Sequence, residues 1–255
     1  MTEWKHVLAA VGIALISLVA QGQPKIGAIG IFSLLGDGVD VTSNDDAPRD
    51  TRIDRISRQT MEFNQIGFDR IALREAREAL RQHSPDTVVK MYVSPTPLST
   101  DQQRSLASGA AKAELPGWMV RALGEARLTH LMIITRTRGS MVAHGVDGFS
   151  VGRGQVDGIG FHLDTLYTIR NARTGALSTG LLAPYLQVKL QLMDAQSGEI
   201  LASYDIRDAS IMGAPDTQVR ADPWSFVPNE DKVAVLRELV ETGMRRAVPK
   251  LLATP

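Results

Sequence analysis

The 255-residue chain carries 28 basic and 28 acidic residues, a formal net charge of zero, and no cysteine. Balanced charge argues against a nucleic-acid partner, because neutralising phosphates draws on a basic excess. The missing cysteine excludes disulfides, zinc–thiolate sites, a cysteine nucleophile and a lipid-bearing cysteine at the N-terminus.

The chain opens MTEWKHVLAAVGIALISLVAQGQPK, in which Lys5 and His6 precede an apolar run over residues 7–20. That run suits the hydrophobic core of a secretory leader and falls short of the ~20 residues that span a bilayer. Ala20, Gln21 and Gly22 fit a small-x-small cleavage site, so residues 1–22 are expected to leave as a signal peptide and expose an N-terminus near Gln23. Retention as an uncleaved anchor is the alternative. No later apolar run reaches spanning length, so residues 23–255 are expected in the periplasm as one domain, without a transmembrane span.

Residues 25–42, KIGAIGIFSLLGDGVDVT, read as a hairpin, with Asp37-Gly38 supplying a two-residue turn. Asp45 and Asp46 lie in a polar loop, and residues 53–63 read either as a strand or as the lead-in to a helix. Leu73, Ala76 and Leu80 mark a helix over 68–83, with Asp69 as its expected N-cap. A β-branched strand follows at 87–93 and stops at Pro95 and Pro97. Ser99 or Thr100 caps a helix reaching about Ala113, and residues 118–127 form another, with Met119, Leu123 and Ala126 on one side. THLMIIT at 129–135 is a central strand. Residues 186–206, LQVKLQLMDAQSGEILASYDI, alternate apolar and polar side chains around a turn at Asp194 to Gly198, which predicts an antiparallel hairpin with one buried face. Residues 207–226 form a loop held to the surface by Trp224 and Phe226, and a last helix starts near Asn229 with its stripe on Val233, Leu236, Leu239, Val240 and Met244. The fold class is α/β, with α+β as the alternative: one mixed or antiparallel sheet with helices packed on it.

Chemistry has one place to reside, the Gly-rich insert at 139–163. Gly148 to Gly152 reads G-x-S-x-G, the nucleophile-elbow pattern, with Ser150 followed by Asp157 and His162 in the order acid, then base. The elbow requires a helix after the serine, and the sequence runs into more glycine. Gly152 to Gly158 resembles a phosphate cradle but misses the dinucleotide spacing and opens no helix. His144, Asp147, Asp157, His162 and Asp164 supply imidazole and carboxylate donors for a transition metal, and His162 and Asp164 would share one face of a strand. Glycines at bulges and tight bends of a strand pair explain the tract without any ligand. No cofactor is implied.

The alternation of strands and helices over 87–206, with a strand ending in Asp194 and a turn ending in Gly198 and Glu199, resembles a group of bacterial envelope modules. These are the CsgG-like proteins of curli secretion, the penicillin-binding-protein activator lipoproteins and the N-terminal domain of TolB. The opening IGAIGIFSLLGDGVDV is similar to exported proteobacterial proteins of unknown function. The resemblance implies a non-enzymatic role in binding an envelope protein partner. A serine hydrolase using Ser150 and a metal-binding protein using His144 and His162 are the alternatives.

Overall fold

The computed structural model describes residues 27–43, 57–62, 66–109, 115–144, 150–151, 155–170, 177–213, 224–225 and 227–253. The fold is α/β: one mixed sheet, with helices on both faces. Its first strands are β1 (Ala28–Ser33), β2 (Gly38–Ser43), β3 (Ser57–Glu62), β4 (Val88–Val93) and β5 (His130–Arg136). Four short strands follow, β6 (Arg138–Ser140), β7 (Ala143–His144), β8 (Ser150–Val151) and β9 (Gln155–Asp157). The long strands β10 (Ile159–Arg170), β11 (Leu177–Asp194) and β12 (Ile200–Ala209), with the stub β13 (Met212–Gly213), complete the set. The helices among the described residues are α1 (Phe68–His83), α2 (Thr100–Ser108), α3 (Gly117–Ala126) and α4 (Asn229–Leu252).

The sheet runs β3-β2-β10-β11-β5-β1-β4, and β11 is long enough to pair with two strands on each side. Its first half pairs with β10 and its second half with β5, both antiparallel. On the opposite edge β13 pairs with Leu181 and Leu182, and β12 pairs from Tyr185 onward. Pro184 falls where β12 yields to β13, so its missing amide costs no ladder bond, while its carbonyl still accepts from the Ser210 amide.

The expected β1–β2 hairpin does not form. β1 pairs in parallel with β4 and β5, whereas β2 pairs with β10 and β3, so the two strands follow one another across a bend at 34–37. Asp37 serves a different end from a turn: its carboxylate accepts the Gly67 and Phe68 amides and so caps α1. Asp69, expected at that cap, sits inside the first turn and accepts instead from Ser33 Oγ and the Leu35 and Gly36 amides. Each carboxylate thus closes the backbone of the other's segment.

α1 begins and ends where its periodicity places it, burying Leu73, Ala76 and Leu80, and α4 starts at the expected Asn229. Together they cover one face of the sheet over a core of Ile29, Ile31, Leu186, Val188, Leu190 and Leu236. α2 and α3 cover the upper part of the other face around Phe32, Met119, Leu131 and Met193. Ser99 and Gln102 close α2 with a reciprocal capping box. Residues 53–63 resolve as a strand, β3, over its described part.

The hairpin of β11 and β12 forms in the expected place, held at its turn by Asp194 Oδ1, which accepts from the Gln196 and Ser197 amides and from Ser197 Oγ. The expected exposed face is covered. Gln187 and Gln191 are buried and Lys189 is half-buried: α2 meets the last two, the Ala107 carbonyl accepting from Lys189 Nζ at 3.0 Å and from Gln191 Nε2, while Gly139 of β6 packs on the Gln187 side chain. Phe226, Asp45 and Asp46 lie outside the described residues, while Trp224 meets Phe161 edge-on with ring centroids 5.6 Å apart.

At Gly160 a Cβ would overlap the Asp40 carbonyl of the neighbouring strand, whereas at Gly124 in α3 it would meet nothing within 4 Å. Gly160→Ala is therefore expected to destabilise the fold by roughly 2–5 kcal/mol, and Gly124→Ala to stabilise it by about 0.5–1 kcal/mol. Urea unfolding of the two variants beside the parent reads both signs.

Candidate functional site

The Gly-rich segment is partly an excursion and partly core. β6 pairs with β9 and β7 with β8, both antiparallel, so these four strands leave the sheet as a two-stranded arm between β5 and β10. The last residues of the tract, from Ile159, belong to β10 in the middle of the sheet. Met141, Ala143 and Val156 fold the arm back onto Leu181, Ala183 and Tyr185 of β11.

Three backbone bonds close the base of the arm in a ring. The Gly158 amide donates to Thr137 O at 3.0 Å, the Gln187 amide to Gly158 O at 2.6 Å, and the Thr137 amide to Gln187 O at 3.0 Å. Gly158 holds φ 63° and packs so tightly on Arg136 that a Cβ would lie 2.6 Å from its Cδ. Arg136 in turn crosses to the β1–β2 bend, Nε donating to Leu35 O and Nη2 to the Gly36 and Gly38 carbonyls. Burial lowers this guanidinium from its ordinary range, opposed by the charge of Asp40 and, more weakly, of Tyr185, Asp69 and Asp37.

Below this joint, on the face that the arm covers, Thr42 and His162 stand side by side, with Asp164 two residues further along β10. The shared strand face of His162 and Asp164 is as the alternation predicts. The Thr42 hydroxyl lies 3.1 Å from His162 Nδ1 and 3.4 Å from Phe161 O. With the hydroxyl proton on the carbonyl, Nδ1 carries the imidazole proton and donates to Thr42. Nε2 is then a buried lone pair with no hydrogen-bond partner among the described residues. Burial lowers the His162 pKa, and Asp164 works in the opposite sense.

Three of the other sequence candidates stand on ladders other than that of His162. Ser150 is in β8 opposite His144 in β7, and Asp157 is in β9 opposite Arg138. Among the described residues the next elements after Ser150 are strands and the next helix begins at Asn229, so no strand–turn–helix frame of a nucleophile elbow is described there. Asp147 lies outside the described residues. Among the described residues no group of three or more histidines, aspartates or glutamates is arranged to hold a metal ion. Sequence reasoning missed Arg136, whose signal was a lone cation ending an apolar strand, and it did not mark β4 as an exposed edge.

β4 ends the sheet and pairs only with β1 among the described residues. Val88, Met91 and Val93 are 56%, 41% and 46% exposed, which makes VVKMYV the most open apolar strand of the sheet. Val89 packs against the α1 side of the core and Tyr92 against the α3 side, where its ring stacks on Phe32 at a centroid distance of 4.6 Å.

No family model matches the chain, and no curated protein matches it. Among solved structures it is similar to a homolog of neuraminyllactose-binding hemagglutinin from Helicobacter pylori, at TM-score 0.38 and 8% identity over 87% of this chain and 79% of that one. A PelC variant in dodecamer form from Paraburkholderia phytofirmans matches at TM-score 0.27 and 8% identity, over 87% and 89% of the two chains. A hypothetical protein of Chlamydia trachomatis matches at TM-score 0.29 and 9% identity, over 88% and 99%. Superpositions this loose leave the function to be argued from the chain's own residues.

His162 and His130 are both held below the ordinary imidazole value of 6.5 by burial. The unfolded chain therefore takes up protons that the fold refuses, so stability is fully present above pH 6.5 and declines as pH falls below it. Unfolding free energy measured from pH 7.5 to 5 is expected to drop, and His162→Gln is expected to remove part of the slope, at most ~1.4 kcal/mol per pH unit. The lack of an elbow frame among the described residues also leads to an expectation for Ser150: a fluorophosphonate probe labels neither the parent nor Ser150→Ala, and labelling of the parent alone would restore the hydrolase reading.

Proposed function

We propose that the chain is an exported, non-enzymatic binding or accessory protein of the bacterial cell envelope, and that it works through the open edge of its sheet. The observation that carries this reading is β4. Sheet edges are usually blunted by charges, prolines, bulges or a covering element, because unpaired amides and carbonyls invite further strands. Here a single charge, Lys90, stands among five apolar or aromatic residues, and the prolines come only after the strand has ended. A segment laid along β4 would gain main-chain hydrogen bonds and would cover Met91 and Val93.

Export is supported by the leader pattern of residues 1–22. The envelope setting is supported by the alternating strands and helices and by the Asp194 to Glu199 turn, which this chain has in common with the envelope modules named above. No helix among the described residues is long and apolar enough to cross a membrane. A role without chemistry is supported by the placement of Ser150, Asp157 and His162 on different ladders.

The test is made in cells that produce the full chain with a photo-crosslinking residue in place of Val93 on β4 or of exposed Gln82 on α1. A discrete adduct from position 93, absent from position 82, is expected, together with recovery of the chain in the periplasmic fraction. No adduct from position 93, or a chain retained in the cytoplasm, would overturn the corresponding half of the reading.

A further inference from the structure

We infer that β4 is the site where two copies of this chain pair, edge to edge and antiparallel, with Met91 on the two-fold axis. The inference rests on reading β4 as the contact surface and names what occupies it. The backbone decides which residues can bond outward. The Val88 amide donates toward β1, to Gly27 O at 3.1 Å. By the alternation of a strand, Lys90 and Tyr92 also bond inward, and Val89, Met91 and Val93 turn both amide and carbonyl away from β1.

Two identical strands related by an axis normal to the sheet keep every side chain on its own face only when some residue stands opposite its own copy. With Met91 in that position, Val89 faces Val93 of the second copy, and Lys90 faces Tyr92. Each outward residue then enters a pair that exchanges both of its hydrogen bonds. On the α1 side, Val89, Met91 and Val93 of the two copies form an unbroken apolar strip, covering side chains that are 41% and 46% exposed in the single chain at Met91 and Val93. On the α3 side Lys90, whose Nζ reaches the Ala126 carbonyl at 3.5 Å in the single chain, comes opposite Tyr92 of the other copy, where a turn of the flexible side chain would bring the ammonium to the ring face not stacked on Phe32.

The neighbouring registers are worse. Centring on Lys90 sets two ammonium groups opposite one another in a close pair that exchanges no hydrogen bonds, where like charges destabilise. Centring on Tyr92 sets outward-facing Val89 against Pro95, which has no amide to give. The single charge and the following proline therefore select one register, and that register is self-complementary. An arbitrary strand has no reason to match Lys90 with an aromatic and every outward position with an aliphatic. A second copy does both.

The absence of native cysteine makes the experiment clean. Sedimentation of the purified chain is expected to show a concentration-dependent dimer. Met91→Lys is expected to abolish it while leaving the far-UV circular dichroism unchanged, with a thermal midpoint that no longer rises with concentration and matches that of the parent diluted to monomer. Opposed Cα atoms in a hydrogen-bonded antiparallel pair lie about 5.5 Å apart, within disulfide range, so Met91→Cys should link into dimers under mild oxidation roughly tenfold or more faster than Lys90→Cys. A chain that stays monomeric at its highest soluble concentration overturns the inference. So does a dimer that ignores Met91→Lys or links faster through Lys90→Cys. A monomer whose position 93 still yields an adduct with another protein overturns the second copy and leaves the contact surface standing. A monomer with no adduct ends both.

Discussion

Arg136 stands where β1 gives way to β2 and where β5 gives way to the arm, and its guanidinium donates to the carbonyls of Leu35, Gly36 and Gly38. The first two carbonyls sit at the bend, and the third belongs to the first residue of β2. A buried acceptor left without a donor costs about 1–3 kcal/mol, so the bend is tenable because one side chain reaches all three. The charge this brings inside is balanced by Asp40, Asp69 and Asp37, and the last two also tie α1 to the same bend. On the far side of Arg136 the ring of Thr137, Gly158 and Gln187 splits β11 between its two partners. Three strands therefore break along one line, and a single cation with its carboxylates spans the break.

That line explains where sequence reading succeeds and where it does not. α1, α4 and the β11–β12 hairpin depend on neighbours within a turn or across a short loop, so periodicity and punctuation locate them to within a few residues. Asp37-Gly38 carries the signature of a tight turn, but its carboxylate is used by amides about thirty residues away, and the strands on either side find partners still further along the chain. The polar face of β11 reads as a solvated face because its alternation is local. Its burial under α2 is decided by a helix more than eighty residues upstream, reached through Lys189 and the Ala107 carbonyl. No window along the chain contains that contact.

The glycine tract follows the same logic. Its composition invited three chemical readings, yet Gly158 and Gly160 answer to Arg136 and Asp40, and Gly139 to the Gln187 side chain. Each is a place where another part of the chain comes too close for a Cβ, a demand indistinguishable in sequence from a phosphate cradle or an elbow. His162 shows the converse. Its position facing Thr42 was invisible, while its common face with Asp164 followed from the strand alternation alone.

The arm has a further consequence for how this chain can vary. Arg138 and Asp157 are paired to each other at its foot, and the backbone ring at Gly158 seals the joint below them. Among the described residues the arm meets the sheet through this foot and through the apolar residues folded back on β11, with Ala209 and Ile211 beside them. The ladders β6–β9 and β7–β8 are separate from the main sheet, so no register of that sheet is set by their pairing. A change in the arm's side chains is therefore felt first where Met141, Ala143 and Val156 meet Leu181, Ala183 and Tyr185, and not in the pairing of the strands around it.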